Sequence, residues 1–231
     1  MRARDFLLLL VMGRALLGAE ESPLDFSDPA RFLLPGPQSE LVEAGPILRA
    51  CGSPGATLSG IRRVVEWKKS WRNEPAGGRW VGTRTVRSLI ESRLLTGCHD
   101  HALLLSAVLR AIGIPALMVD CAGLEWARDF PDRRRDFAGH VFVLAWVEKR
   151  WILLDSTSYR YLDPFDPHSD RFRFPVGDQE RFAVLFRGID PASYGVTNLL
   201  ALNRAMERLS DGLRGGPEPA MPARLGPLHL P

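Results

Sequence analysis

The stretch Thr96-Gly97-Cys98-His99-Asp100-His101-Ala102-Leu103-Leu104-Leu105-Ser106-Ala107-Val108-Leu109-Arg110-Ala111-Ile112-Gly113-Ile114-Pro115 decides how this chain is read. Past its first turn it is apolar on nearly every face, the pattern of a helix buried on all sides rather than of an amphipathic surface helix. The break at Thr96-Gly97 starts it at Cys98. Gly113 is a natural C-terminal cap and Pro115 prevents continuation, so Ile114 to Cys121 is expected as a strand. A cysteine therefore stands in the first turn of the central helix of the domain.

Two further strands are expected at His140-Val141-Phe142-Val143-Leu144-Ala145-Trp146-Val147 and Trp151-Ile152-Leu153-Leu154-Asp155, joined across Glu148-Lys149-Arg150. A hairpin loop of either two or four residues sets Phe142 opposite Asp155 and His140 opposite Thr157, so His140 and Asp155 share a face as diagonal neighbours. Their backbones are then roughly 7 Å apart, within reach of an imidazole-to-carboxylate hydrogen bond. A thiol attacks a carbonyl carbon only as thiolate, and the first turn of a helix beside a basic histidine supplies a site that lowers its pKa. Cys98, His140 and Asp155 are thus candidates for nucleophile, base and orienting acid. Gly97 would let substrate approach the backbone, and first-turn N–H groups could help hold a developing oxyanion.

These segments resemble the transglutaminase-like family of papain-type thiol enzymes. The Cys98 helix with its closing Leu109-Arg110-Ala111-Ile112-Gly113-Ile114-Pro115-Ala116 looks like the family's nucleophile segment, and Gly139 to Val147 and Trp151 to Thr157 look like its His strand and its Asp strand. The resemblance covers about residues 58 to 165. It implies an α+β papain-like core, with a buried helix opening on Cys98 packed on an antiparallel β-sheet, and acyl transfer through a thioester-type intermediate on peptide or protein amides. It does not settle whether water or an amine takes the acyl group. The family also includes forms that have lost activity, so an inactive interaction module is the main rival. Cross-linking members place a tryptophan upstream of the cysteine to stabilise the oxyanion; Trp67, Trp71 and Trp80 lie upstream here without a matching spacing, and helix packing is the simpler reading. Asp100 stands where the family often carries an acid, with favourable interaction at the helix N-terminus as its simplest role.

A chain of 231 residues with this composition fits one globular domain with an extension at each end. We divide it into a possible signal peptide at 1–19, a Pro/Gly-rich arm at 20–57, the transglutaminase-like domain at 58–213 and a disordered Pro/Gly-rich tail at 214–231. The start, basic and then apolar with Ala19 before two glutamates, points to a secreted or periplasmic protein, with a cytoplasmic one as the alternative. No integral membrane span is expected. Thirty Lys and Arg against 27 Asp and Glu leave +3, which argues against nucleic acid as the partner. Nothing indicates a cofactor or fixes an oligomeric state.

Within the domain, helices are expected from Leu58 to Trp71, Thr85 to Leu95 and Thr197 to Leu213, with a short one at Glu40 to Ala50. Arg181 to Phe186 is a further strand candidate. Ala122 to Gly139 and Ser156 to Pro175 read as loops, the first long enough to cover a cleft. Its Arg133-Arg134-Arg135 run reads as a solvated face. Three cysteines lack zinc-type spacing; Cys51 and Cys121 are a candidate pair if the chain is exported. A metal site built on Cys98, His101 and His140 is the weaker rival, because only Cys98 and His101 form a close-spaced pair.

Overall fold

A computed structural model describes residues 24–41, 44–75, 78–130, 132, 137–213 and 228–231. The proposed signal segment, the Arg133-Arg134-Arg135 run and residues 214–227 of the proposed tail lie outside the described residues. The arm carries a 3-10 turn, Pro29–Leu33, and the expected short helix α1 (Ala44–Ala50). α2 (Leu58–Lys69) starts at Thr57, whose hydroxyl accepts from the Gly60 N–H as an N-cap. It buries Leu58, Ile61, Val64, Val65 and Lys68, one stripe at three- and four-residue spacing. A Cβ at Gly60 would lie 1.9 Å from the Gly55 carbonyl oxygen, so only glycine admits that close approach.

A small parallel pair, β1 (Arg72–Asn73) and β2 (Leu94–Leu95), flanks α3 (Val86–Ser92), which opens on a Thr85–Ser88 capping box. α4 (Cys98–Ala111) follows, buried from His99 through Arg110. Gly113 takes φ +85, the left-handed conformation that ends the helix. Arg110 then donates to the Ala116 carbonyl at 2.8 Å, tying the end of the helix to the start of the next strand.

The main sheet has seven strands: β3 (Ala116–Gly123), β4 (Gly139–Val147), β5 (Arg150–Asp155), β6 (Arg160–Leu162), β7 (Arg171–Val176), β8 (Gln179–Gly188) and β9 (Leu228–His229). Their order is β7-β8-β3-β4-β5-β6-β9 and every pairing is antiparallel. α4 packs on β3 and β4. Leu104, Leu105, Val108, Met118, Val141 and Val143 belong to the core cluster on that side. The other side, with Leu117, Val119, Phe142, Phe172, Phe174 and Phe182, is closed partly by Phe26 and Phe32 of the arm. Helix and antiparallel sheet thus form the α+β architecture expected of a papain-like core. The candidate Cys51–Cys121 pair is absent: all three cysteines are free, and Cys51 and Cys121 belong to different clusters.

Other readings need correction. Ala122 to Gly139 contains α5 (Leu124–Asp129), whose Leu124, Trp126 and Ala127 are buried against β8 and α6 (Leu199–Leu213). Six residues are too few for a helical period to show in sequence. Ser156 to Pro175 holds β6 and β7. In β7 Phe172 and Phe174 point inward while Arg173 is exposed, a two-residue alternation masked by its Asp- and Pro-rich flanks. At the far end, Leu228–His229 adds the edge strand β9 to β6 and Leu230 is buried, so this piece of the proposed tail is ordered by apolar burial and ladder pairing.

Candidate active site

Glu148 and Lys149 both take positive φ, the twisted two-residue turn that suits a hairpin. Val147 pairs with Arg150 and Phe142 with Asp155. On that register the His140 Nε2 lies 2.9 Å from the Asp155 Oδ1. Asp155 is buried and accepts from five donors: His140, the backbone and hydroxyl of Thr157, the Ser158 hydroxyl and the Arg160 guanidinium. Burial would raise its pKa, but the His140 contact and these donors hold it well below the usual carboxylate range.

Because Asp155 takes Nε2, the Nδ1 of His140 is left for the sulfur. Cys98 is partly exposed and interacts with both His140 and its own neighbour His99. Burial alone would raise the thiol; hydrogen bonding and charge from the two imidazoles outweigh it and bring Cys98 down to about 6. His140 moves the opposite way, to about 9, as Asp155 and Cys98 overcome burial. The pair is therefore poised as thiolate and imidazolium around neutral pH. The Ser156 hydroxyl donates to the Val141 carbonyl at 2.5 Å and reaches the Cys98 carbonyl at 3.4 Å, joining the end of β5 to β4 and to α4.

The loop before Cys98 is fastened by Asp100. Its carboxylate accepts from the Thr96 N–H at 2.9 Å, the Thr96 hydroxyl at 2.7 Å and Arg84 at 2.8 Å. This is a more specific task than interaction with the helix terminus. Gly97 provides no side-chain cap, so the first-turn N–H groups are not claimed by one. A Cβ at Gly97 would meet nothing within 4 Å, so the space before the sulfur is open. A cavity of about 100 Å³ lies there, lined by Trp80, Val81, Gly97, Cys98 and His99 among others. Trp67 and Trp71 pack edge to face on each other at 4.9 Å and against the core, as expected. Trp80 does not: it is 41% exposed and walls the cavity.

Sequence reasoning missed two buried networks. Lys68 is wholly buried beside the site, donating to His101 Nδ1 at 2.7 Å and to the Ser156 carbonyl. Burial lowers Lys68 to about 7, and burial together with Lys68 lowers His101 to about 3, so His101 is a neutral acceptor. The readable signal was a lysine on the apolar stripe of α2. His99 is the second: its Nε2 lies 2.8 Å from the buried Asp120 of β3. Among the described residues, no group of three or more His, Cys, Asp or Glu side chains is placed to hold a metal ion, so His101 serves the Lys68 network rather than a site with Cys98 and His140. No helix of the described residues is long and apolar enough to cross a membrane.

Comparison with curated proteins gives no match. Among solved structures, a candidate cysteine protease from Cytophaga hutchinsonii is similar at 19% identity and a TM-score of 0.49, over 75% of this chain and 51% of that one. The chain thus spans about half the length of that structure. The family model of the transglutaminase-like superfamily matches residues 48–156, a span that runs from α1 through α4 to the end of β5. Cys98, His140 and Asp155 all fall within it, so the part of the chain that carries them is similar to the transglutaminase-like superfamily.

Proposed function

We propose that this protein is a cysteine-dependent acyl-transfer enzyme acting on peptide or protein amides, with Cys98 as nucleophile, His140 as general acid–base and Asp155 as the residue that orients His140. The observation that carries this reading is the 2.9 Å contact between His140 and a fully bonded Asp155, beside a thiol at an uncapped helix start. The Cys98 thiolate attacks the amide carbonyl, forming the C–S bond and pushing the carbonyl pair onto oxygen. First-turn N–H groups of α4 face that oxyanion. As the tetrahedral centre collapses, the C–N bond breaks and His140 gives its proton to the departing nitrogen. An acceptor then attacks the thioester, yields its proton to His140, and releases the sulfur as thiolate.

Water is our preferred acceptor, since hydrolysis asks for no second binding site. A peptide library incubated with the protein, with and without a primary amine, tests this by mass spectrometry. Shortened peptides support a peptidase, a gain of one mass unit at glutamine a deamidase, and amine adducts a cross-linking transferase. No change in any peptide, with Cys98 reduced, counts against an enzyme of amides.

A further inference from the structure

Cys98 interacts with two histidines, and each is held by its own buried carboxylate. His140 of β4 is held by Asp155 of β5; His99 of α4 is held by Asp120 of β3 at 2.8 Å. In both pairs Nε2 meets the carboxylate, which leaves Nδ1 for the sulfur. His99 is 8% exposed and Asp120 2%, so water does not screen this second pair. Resting on the reading of Cys98 as nucleophile, we infer that His99 is a second catalytic partner of the sulfur, a fixed cation that holds the thiolate, with Asp120 as its positioning residue.

The two imidazoles divide the labour. Burial would lower His99, but Asp120 and the Cys98 sulfur outweigh it and raise the ring to about 10, so it stays a cation around neutral pH. His140, the general acid–base of the proposed mechanism, moves protons: one to the leaving nitrogen, one from the acceptor. His99 gains and loses none; when the thioester's C–S bond breaks and its electron pair returns to sulfur, the charge forms beside the His99 N–H. The other titratable groups that sense Cys98 do not take over this role. Burial pushes Tyr194 and Cys121 well above their ordinary values, so both stay neutral. A merely structural salt bridge between α4 and β3 would leave the titration of Cys98 unchanged.

Iodoacetamide alkylation of the full chain, followed at the Cys98 peptide by mass spectrometry across pH, separates these. The parent, His140→Ala, His99→Gln and the double variant are compared, with folding checked by circular dichroism. His140→Ala should retain a thiol that titrates below the free-cysteine value of about 8.5. Near neutral pH it should react on the order of tenfold faster than His140→Ala/His99→Gln, the ratio expected if the second imidazolium still ionises the sulfur. If the double variant does not fold, the isosteric Asp120→Asn in the His140→Ala background reads the same quantity. A single His140→Ala change that already gives the free-cysteine profile, or a second change that moves nothing, overturns the inference and leaves the Cys98–His140 pair intact. A parent that itself titrates near 8.5 instead removes the nucleophile reading on which it rests.

Discussion

Phe142 lies directly opposite Asp155 across the β4–β5 ladder, and this pairing brings His140, two residues earlier on β4, within 2.9 Å of the Asp155 carboxylate. A slip of one residue would turn one of the two to the other face of the sheet. The geometry of the pair is thus fixed by register, which the short Glu148–Lys149 turn pins.

Cys98→Ala is expected to abolish turnover while the chain stays folded, because it removes one sulfur and leaves a good helix former at the first turn of α4. His140→Ala should cost roughly 10²–10⁴-fold in kcat, the range for loss of a general acid–base. Asp155→Asn should cost less. The amide oxygen can still accept from His140, and its NH2 can face the Ser158 hydroxyl, which is able to accept where it now donates. Steady-state kinetics on one amide substrate rank the three; Asp155→Asn falling below His140→Ala would show that the ion pair outweighs orientation.

The pH dependence has a definite sign. The reactive form needs Cys98 without its proton and His140 with one, so kcat/KM should rise through about 6 and fall through about 9. Both limbs belong to the coupled pair. Since Asp155 is one of the two groups that raise His140, the other being Cys98, Asp155→Asn should move the falling limb to lower pH. A falling limb that stays in place would detach Asp155 from the ionisation of His140.

How much of this was readable without coordinates depends on the range of the contact. The α4 helix and the β4–β5 hairpin carry their own periodicity, caps and turn, so Cys98, His140 and Asp155 could be placed from local pattern and one register argument. Asp120 could not: β3 is buried in all eight residues, so it shows no alternation to say which way the carboxylate points. Trp80 was equally silent, since its position against Cys98 is set by the packing of the loop between β1 and α3. Lys68 and His101 were visible as residues but not as partners, because they lie on separate helices whose crossing no local pattern records.

Trp80 provides a substrate-binding prediction. It is exposed, it walls the cavity at Cys98, and neither of the other two upstream tryptophans lines that cavity. Trp80→Ala should raise KM about tenfold, equivalent to losing a contact of about 1.4 kcal/mol, while leaving the Cys98 alkylation profile as in the parent. A parallel loss of kcat with KM unchanged would instead place the indole on the transition state.

Gly139→Ala tests whether the start of β4 is set by the backbone rather than by the triad itself. A Cβ at Gly139 would lie 2.4 Å from the carbonyl oxygen of Cys121, the residue before its ladder partner Ala122 on β3, too close for any real side chain. The strand must give way there, immediately before His140, although no group of the site has been altered. Displacing a catalytic group by about 1 Å can cost on the order of 10²-fold in rate, so kcat should fall by roughly that factor. The rest of β4 keeps its ladder from Val141 to Val147, and a destabilisation of about 1 kcal/mol would lower Tm by only about 2–4 °C in a chain of this size. The informative comparison is therefore kcat against Tm in the same preparation. A kcat near that of the parent, with Tm down by that amount, would mean that β4 absorbs the added methyl without moving His140, and that the ring is held chiefly by Asp155.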